Sequence, residues 1–395
     1  MERKLSEVCW FYSGTGFPVT YQGKDKGELP FYKVGDISNN VAAGNMYLSC
    51  CNNYISRQEA TEIKGSIIPP YTIVFAKIGE ALKLNRRVIT NCDCLIDNNV
   101  MGIKPNRDYL RTRYFYYYMK RLKMQDYAES TAVPSVRKSK LEQIKIDIPS
   151  LEEQERMEQA LDKASAIIIM RQQQLQKLDE LVKARFVELF GDLANPSCLW
   201  ETIKLADACA SADDIKCGPF GTQLGKGEYV DSGVAVWEIP QINAAFKACP
   251  THFITEEKAT QLKAYSLVPG DIAMSRKGNV GRCAIFPDEY VDGIIHSDVL
   301  RIRVNEQKVN PVFMMYQLHF SSAVINQIEM VSSGAIMAGV NVTKLKQIYV
   351  HIPPKKLQDQ FVSFVKQTDK SKVAVQKALD EAQLLFDSLM QKYFG

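Results

Sequence analysis

"IDIPSLEEQERM" at residues 146–157 begins with an apolar, β-favouring segment, stops at a proline and continues as charged helix-forming residues. The chain repeats this pattern 204 positions later, as "VHIPPKKLQDQF" at residues 350–361. Because proline neither continues a strand ladder nor fits a helix interior, each stretch predicts a strand that ends and a helix that begins. A pattern written twice predicts that the chain is a duplication, with these proline junctions as hinges inside each copy.

Further matches on both sides of the junctions support a duplication. They occur in the same order in both halves, at offsets of 199 to 204 positions: residues 3–9 with 203–209, 70–80 with 269–279, 96–104 with 295–303 and 141–149 with 345–353. In the second of these matches Lys77 corresponds to Arg276, and Gly79 corresponds to Gly278. A constant order with a nearly constant offset predicts a tandem repeat of about two hundred residues.

Each copy is predicted to contain short strands, a short helix and then one long helix. Residues 71–78 and 271–278 favour strands because β-favouring residues lie between proline and glycine, and residues 110–125 and 310–328 favour amphipathic helices. We therefore predict an α+β fold of two tandem mixed α/β domains and two long helices, at 1–150, 151–191, 192–354 and 355–395. "NPSCLW" at 195–200 is the predicted link between the copies.

The two long helices carry a sustained heptad pattern. Apolar residues recur at alternating spacings of four and three, which is typical of a coiled-coil seam. Arg171, Arg185 and Lys372 interrupt the seam with charges. Each helix would be about 55–60 Å long at a rise of 1.5 Å per residue. The predicted seam residues are Met157, Leu161, Ile168, Leu175, Leu178, Val182, Leu189, Phe361, Val365, Val375, Leu379, Ala382, Phe386 and Leu389.

The composition is that of a globular protein. Of 395 residues, 46% are hydrophobic and 24% are charged. No apolar run reaches the ~20 residues that a membrane span needs, and the N-terminus lacks the apolar core of a signal peptide. The ten cysteines form no Cys-x-x-Cys pair and the four histidines do not cluster near them, so no zinc site is expected. We expect a cytoplasmic protein with reduced thiols. The net charge of the chain, +4, permits a nucleic-acid partner.

The motifs that suggest catalysis are all incomplete. "GTQLGKG" (221–227) is one residue too short for a phosphate-binding loop and ends on glycine where a magnesium-binding hydroxyl should stand. "YSGTG" (12–16) with "IPPY" (68–71) resembles an adenine methyltransferase pair, but Ile68 replaces the side chain that bonds the flipped base. "FPDEYVDG" (286–293) lacks the Glu-x-Lys of many nuclease sites. All four histidines lie in the second copy, so the duplication favours binding over catalysis.

The aromatic run "YFYYYMKRLKM" (114–124) has two interpretations. Exposed aromatic rings can stack on nucleic-acid bases. At helical spacing, however, Phe115, Tyr118, Met119 and Leu122 form one apolar face. We therefore predict a helix that faces the core.

The ordered, duplicated set of motifs resembles the specificity subunits of type I restriction–modification enzymes over nearly the whole chain. One part of the likeness is a pair of glycine–proline openings, "SGTGFP…GELPFYKVGDIS" (13–38) and "CGPFGTQLGKGEYVDSGVAVWEIPQI" (217–242). The other part is the pair of junctions, "IPSLEEQ" (148–154) and "IPPKKLQDQ" (352–360), each leading into a long helix.

The resemblance implies a DNA sequence-recognition subunit without catalysis of its own. Each variable domain would be a target recognition domain that reads one half of a bipartite, asymmetric DNA target. The long helices would pair as an antiparallel coiled coil and set the spacing between the half-sites. Two modification subunits, which use S-adenosylmethionine, and two restriction subunits, which use ATP and Mg²⁺, would assemble with this chain, which would itself hold no cofactor.

Charge and repeat position indicate which residues contact DNA. Cations supply phosphate affinity, and Arg and Gln also read base edges. The candidates are Lys77, Arg86, Arg87, Arg137 and Lys138 in the first copy and Gln223, Lys226, Arg276, Lys277 and Arg282 in the second. Two alternatives stay open from the sequence: a DNA methyltransferase or nuclease with its own active site, and a coiled-coil scaffold that does not touch DNA.

Overall fold

The computed structural model describes residues 1–49, 51–129, 133–191, 193, 200–290, 292–332 and 339–395. The chain divides into two compact units, Met1–Gln173 together with Gln376–Gly395, and Gln174–Val375. Each unit contains one mixed α/β region and one half of each long helix. The two long helices are thus shared between the units instead of standing apart from them. Most of the predicted link at 195–200 lies outside the described residues.

The first unit contains short strands and helices and part of both long helices. Within the described residues its strands, β1 to β9 in chain order, are Glu2–Lys4, Cys9–Ser13, Leu29–Tyr32, Tyr54–Ile55, Ile73–Ala76, Arg87–Ile89, Leu95–Ile96, Val100–Pro105 and Lys145–Asp147. The helices that begin in this unit, α1 to α7, are Leu5–Val8, Val34–Ala42, Arg57–Glu62, Glu80–Lys83, Thr112–Arg121, Lys138–Glu142 and Leu151–Phe190.

The first unit is built on two sheets and a strand pair. One sheet has the order β2-β8-β5-β6 with antiparallel neighbours, the other has the order β4-β3-β7, and β1 pairs with β9. In the larger sheet Ile73 of β5 lies opposite Ile103 of β8. Successive side chains of a strand point to opposite faces, so Val74 packs between the sheets against Tyr32, whereas Phe75 belongs to the core that contains α5.

The second unit repeats the main elements in the same order and, within the described residues, has one more strand. Its described strands, β10 to β19, are Glu201–Lys204, Ile215–Cys217, Val234–Trp237, His252–Ile254, Ser266–Leu267, Ile272–Ser275, Cys283–Ile285, Gly293–Ile295, Val299–Ile302 and Tyr349–Ile352. The helices that begin here, α8 to α13, are Ile239–Asn243, Glu256–Gln261, Pro311–Phe320, Ser322–Ser332, Val342–Leu345 and Lys355–Phe394.

Sheet topology and register are duplicated as well. The strand orders are β11-β18-β15-β16 and β13-β12-β17-β14, and β10 pairs with β19. The parallel pair of β12 and β17 corresponds to the parallel pair of β3 and β7. Ile272 lies opposite Ile302, which is the register of Ile73 and Ile103. The shared order and register confirm the duplication and the α+β fold.

Helix α5 faces the core, as predicted from the aromatic run. Phe115 and Met119 are fully buried and Tyr114 is 2% exposed. Tyr117 is also buried, and its hydroxyl donates a 2.7 Å hydrogen bond to Asp162 of α7. The run therefore builds the interior of the first unit and offers no platform for bases.

The corresponding region of the second unit holds two helices where one was predicted. Helix α10 ends at Phe320 and α11 begins at Ser322. Between them Ser321 accepts a hydrogen bond from the Val324 N–H, so its side chain caps α11 and starts a new helix.

In the second unit the end of α7 packs against the beginning of α13. The Phe186 ring of α7 lies 5.4 Å from the Phe361 ring of α13 and 5.9 Å from Phe313 of α10. Lys372, which interrupts the heptad pattern, forms a 2.7 Å ion pair with Asp179. The charge in the seam is thus neutralised by the opposite helix.

In the first unit the beginning of α7 lies beside the end of α13. Leu161 of α7 is fully buried, and the Phe386 ring of α13 lies 6.1 Å from the Tyr117 ring. Since the start of each long helix meets the end of the other, the helices pair antiparallel. The predicted seam residues are all buried or half-buried.

His319 of α10 should make the second unit sensitive to mild acid. Its Nε2 accepts a 2.9 Å hydrogen bond from the Cys283 N–H, which requires the neutral ring. Burial lowers the pKa of His319 from 6.5 to about 4. The unfolded chain therefore takes up a proton first, and stability is expected to fall as pH drops from 6.5 towards 4. Urea titrations across this range should show the loss, and His319→Gln, which keeps an acceptor, should reduce it.

Candidate nucleic-acid interface

One end of the larger sheet in the first unit gathers several predicted contacts. Lys77 follows β5 directly, and its N–H donates a 2.9 Å hydrogen bond to the carbonyl of Asn99, just before β8. The Lys77 carbonyl accepts a 2.9 Å hydrogen bond from the Val136 N–H. Residue 137 comes next in the chain, so Lys77 and Arg137 are brought to the same end of the sheet.

The second unit makes the same backbone bonds at the same place. The Arg276 N–H donates to the carbonyl of Asp298 at 2.8 Å, and the Arg276 carbonyl accepts from the Val340 N–H at 3.0 Å. The Arg276 side chain adds a 3.1 Å bond from Nε to the Val340 carbonyl. The Lys77–Arg276 correspondence read from the sequence is therefore a structural equivalence.

The glycine-rich openings lie at this same end in both units. A Cβ on Gly14 would stand 1.8 Å from the Asp97 carbonyl oxygen, and one on Gly218 would stand 2.3 Å from the His296 carbonyl oxygen. Only glycine allows the opening loop to pack this closely on the loop that follows β7 or β17. Gly14 thus holds its opening loop beside Asp97, which follows β7, and Gly218 holds its loop beside His296, which follows β17.

Arg276 is the best supported of the candidates in the second unit. Its guanidinium lies 4.9 Å from the ring centre of Phe220, a residue of the opening loop that is 48% exposed. Nη1 donates to the Ser297 carbonyl at 3.4 Å. Gln223 belongs to the same loop and accepts hydrogen bonds from the Phe220 N–H and the Tyr265 hydroxyl. The loop and Arg276 therefore form one continuous polar and aromatic surface.

The remaining candidates of the second unit differ in their freedom to bind phosphate. Lys277 forms a 2.7 Å ion pair with Asp298, so part of its charge is neutralised. Arg282 is exposed, and its guanidinium donates to the Asn243 carbonyl at 3.4 Å. Lys226 is exposed on a short 3₁₀ turn.

The exposed candidates of the first unit are held by local ion pairs. Arg137 pairs with Glu129 at 2.7 Å and keeps 69% of its side chain exposed. Lys138 lies 3.5 Å from Glu142, one helical turn further along α6. Arg86 is half-buried in the connection between α4 and β6. Surface pairs of this kind exchange readily for a phosphate because each is worth ~1 kcal/mol or less.

Arg87 is a correction to the predicted set. Arg87 is buried, with 2% of its surface exposed. Its guanidinium donates to the Asn85 carbonyl at 2.8 Å and to the Asn85 side chain at 2.9 Å. It also donates to the Leu122 carbonyl. Burial lowers the pKa of Arg87 to about 9. The residue ties β6 to the end of α5 and is not available to DNA.

Sequence reasoning missed Phe220, Asn99 and Asp298. Phe220 stands between Gly218 and Gly221 in a loop, where an apolar side chain has no strand or helix to bury it. That context was the signal by which the sequence could have indicated Phe220. Asn99 and Asp298 carried no signal of their own, because only the pairing of the strands brings them beside Lys77 and Arg276.

Neither a metal site nor a membrane-spanning helix is found in the part of the chain that the structure describes. No group of three or more His, Cys, Asp or Glu side chains is arranged to hold a metal ion there. None of the described helices is long and apolar enough to cross a bilayer. Cys9, Cys94 and Cys283 are buried as free thiols, and burial raises the pKa of each.

Comparison with known families decides between the functions that the sequence left open. The chain matches the type I restriction modification DNA specificity domain twice, over residues 1–180 and 199–382. It belongs to this family. Each match contains one mixed α/β region and the beginning of one long helix, so the family unit coincides with the internal repeat. Membership confirms a non-catalytic specificity subunit of a type I restriction–modification system and overturns the alternative of an enzyme with its own active site.

Individual relatives of this specificity subunit are distant in sequence. A Haemophilus influenzae protein named as a type I restriction enzyme specificity subunit is 24% identical over 99% of this chain and 92% of its own length. A Methanocaldococcus jannaschii protein named as the MjaX specificity subunit is 24% identical over 36% of this chain and 34% of its own. The crystal structure of the type I system S subunit from M. genitalium has a TM-score of 0.58 at 13% identity, covering all of this chain and 96% of that one. This last likeness shows a common fold.

Proposed function

We propose that each unit of this specificity subunit reads one half of a bipartite, asymmetric DNA target. The observation that carries the proposal is the equivalence of Lys77 and Arg276. Lys77 follows β5 and Arg276 follows β15, which hold the same place in two equivalent sheets. Both residues are fixed by equivalent pairs of backbone hydrogen bonds. A position that holds a long cation in both copies suits a task that both units perform. Two stretches of one DNA duplex offer similar surfaces for that task.

The side chains around the two cations support an asymmetric target. Asn99 stands beside Lys77 where Asp298 stands beside Arg276. Phe220 lies under Arg276, and the matching position of the first unit, two residues after its close-packed glycine, holds Gly16. Arginine bonds guanine edges in a bidentate way, whereas lysine offers a point charge. Two differently equipped surfaces would select two different half-sites.

The paired helices are proposed to fix the distance between the half-sites. Each spans 40 residues, which is about 60 Å at 1.5 Å per residue. Rigid elements of this kind convert protein geometry into a set number of base pairs, as half-site spacing does in dimeric DNA readers. The long helices would also dock the modification subunits, and the internal repeat would let two identical subunits dock in equivalent ways.

The chemistry of the complex is assigned to partner subunits. Two modification subunits with S-adenosylmethionine would methylate the target, and two restriction subunits with ATP and Mg²⁺ would cleave unmodified DNA. The whole assembly would work in the cytoplasm.

The proposal is tested by mapping methylated bases in cells that express this chain with its modification subunit. Arg276→Ala should lower methylation about 10- to 100-fold, the effect of losing one good base contact, and should relax one half of the motif. Lys77→Ala should affect the other half. Lys308→Ala is the matched control, because Lys308 is exposed and follows β18 at the opposite end of the sheet.

Two results would contradict the assignment. If Arg276→Ala left both the affinity and the recognised half-site unchanged, Arg276 would not be a reading residue. If both variants altered the same half of the motif, the units would not read separate half-sites.

A further inference from the structure

Tyr71 adopts a left-handed backbone conformation, and at the equivalent position of the second unit this conformation is adopted by a glycine. Its φ is +65°, and the equivalent residue of the second unit is Gly270 with a φ of +90°. A side chain with a Cβ is disfavoured in this left-handed region, and a bulky one especially so. The first unit thus keeps a tyrosine where glycine would fold with less strain. Such outliers concentrate at functional positions.

Tyr71 is part of an exposed set of stacked aromatic and cationic side chains. Its ring is 43% exposed, and the Arg107 guanidinium lies 5.3 Å from the ring centre. Tyr109, two residues after Arg107, is 39% exposed, with the Arg3 guanidinium 5.0 Å from its ring centre. We call Arg3, Tyr71, Arg107 and Tyr109 the Tyr71 patch. Within the described residues neither arginine forms an ion pair. Arg3 Nε donates a 3.3 Å hydrogen bond to Met1 Sδ, and the other N–H groups of its guanidinium remain for a partner.

The second unit lacks this patch although it has the same backbone. The equivalent positions are Gly270, Glu306 and Lys308 for Tyr71, Arg107 and Tyr109, as shown by matching hydrogen bonds in the loops that begin at Asn106 and Asn305. Neither an aromatic ring nor an arginine is present at these places. The patch is therefore specific to one unit and is not required by the fold.

The patch lies away from the proposed DNA surface. Tyr71 precedes β5, whereas Lys77 follows it, and Arg107 follows β8, whereas Asn99 precedes it. The patch and Lys77 thus lie at opposite ends of the same sheet. The Tyr109 carbonyl accepts a 2.8 Å hydrogen bond from Gln154 of α7, so the patch borders the start of a long helix.

We propose that the Tyr71 patch binds one of the two modification subunits. This step rests on the proposed function, in which those subunits dock beside the long helices. Tyrosine and arginine are enriched among the residues that dominate protein–protein binding energy. The matching surface would be a flat apolar area edged by carboxylates, which accept from the free guanidinium N–H groups. Because the second unit carries Gly270, Glu306 and Lys308 instead, the modification subunit at the first unit makes contacts that are added to the equivalent docking on the helices, and it is held with higher affinity than the other.

Two substitutions copy the second unit and test the proposal. Tyr71→Gly removes the ring and at the same time relieves the positive φ, so loss of folding does not confound the result. Arg107→Glu introduces the residue found at position 306. Native mass spectrometry and titration of the reconstituted complex should show that one of the two modification subunits binds at least tenfold more weakly, whereas the other is unaffected. Lys123→Glu, an exposed position in the same unit, controls for the change of charge.

The other outcomes overturn the inference. If the wild-type chain takes up two modification subunits and both variants do so with unchanged affinity, the patch is not a docking surface. If the variants keep this affinity but bind duplex DNA more weakly, the patch contacts DNA instead. If the wild-type chain binds no modification subunit, the proposed function fails together with this inference.

Discussion

Replacing Phe186 with alanine is expected to destabilise the second unit by about 4 kcal/mol, the usual effect of truncating a fully buried phenylalanine. The ring is 2% exposed and lies 5.0 Å from Phe190, 5.4 Å from Phe361, 5.7 Å from Phe320 and 5.9 Å from Phe313. These neighbours belong to α7, α10 and α13. The cavity would therefore open where both long helices meet the α/β region.

Val187→Ala is the matched control for this prediction. Val187 is the next residue of α7 and is 48% exposed, so its truncation should change stability by no more than about 0.5 kcal/mol. Urea unfolding of both variants, followed by circular dichroism, measures the difference. Equal stabilities would mean that the aromatic cluster does not hold the helices to the second unit.

The duplication and the helix pairing were predictable because they depend on residue order. The heptad spacing places one apolar stripe on each helix, and a stripe of that width must be buried against another helix. Lys372 looked like a defect in the stripe, and Asp179 on the partner helix explains it. Nothing in the spacing identifies that partner, because the pairing register is set by the tertiary structure.

The candidate interface was harder to predict because charge does not report burial. Arg86 and Arg87 are adjacent cations, yet Arg87 is enclosed by the carbonyls of Asn85 and Leu122. Leu122 is distant in sequence, so its role depends on how α5 packs on β6. The backbone conformation of Tyr71 was likewise not predictable from the sequence. Its position after two prolines was visible, but its positive φ was not.

The proline junctions were predicted to be hinges, and each is held by a buried glutamine that would oppose such a motion. Gln154 and Gln358 stand at equivalent places in the first turn of α7 and α13, and both are fully buried. Gln154 Oε1 accepts a 2.8 Å hydrogen bond from the Arg111 N–H, and its Nε2 donates to the carbonyls of Tyr109 and Pro149. Each junction is thus hydrogen-bonded to the loop before the short helix, and from these bonds we expect a stiff connection.

Gln358 repeats this arrangement in the second unit. Its Oε1 accepts a 2.8 Å hydrogen bond from the Asn310 N–H, and its Nε2 donates to the carbonyls of Pro353 and Lys308 at 2.7 and 3.3 Å. Truncation would leave buried backbone groups without partners, at roughly 1 kcal/mol or more for each. Gln154→Ala and Gln358→Ala are therefore expected to cost about 3 kcal/mol in their own units. The exposed Gln159 and Gln360, changed to alanine, are the matched controls.

Gln154→Glu separates the hydrogen bonds from simple packing, because it keeps the volume of the side chain and replaces the donating amide with a carboxylate. Its carboxylate would face the carbonyls of Tyr109 and Pro149, so the variant should be at least as unstable as Gln154→Ala at neutral pH. As pH is lowered the acid gains a proton and can donate again, so its stability relative to Gln154→Ala should rise. Urea unfolding of both variants between pH 7 and pH 5 measures this. If the difference between them did not change with pH, the buried amide would serve only to fill space, and the junction would owe its stiffness to the proline and the apolar core alone.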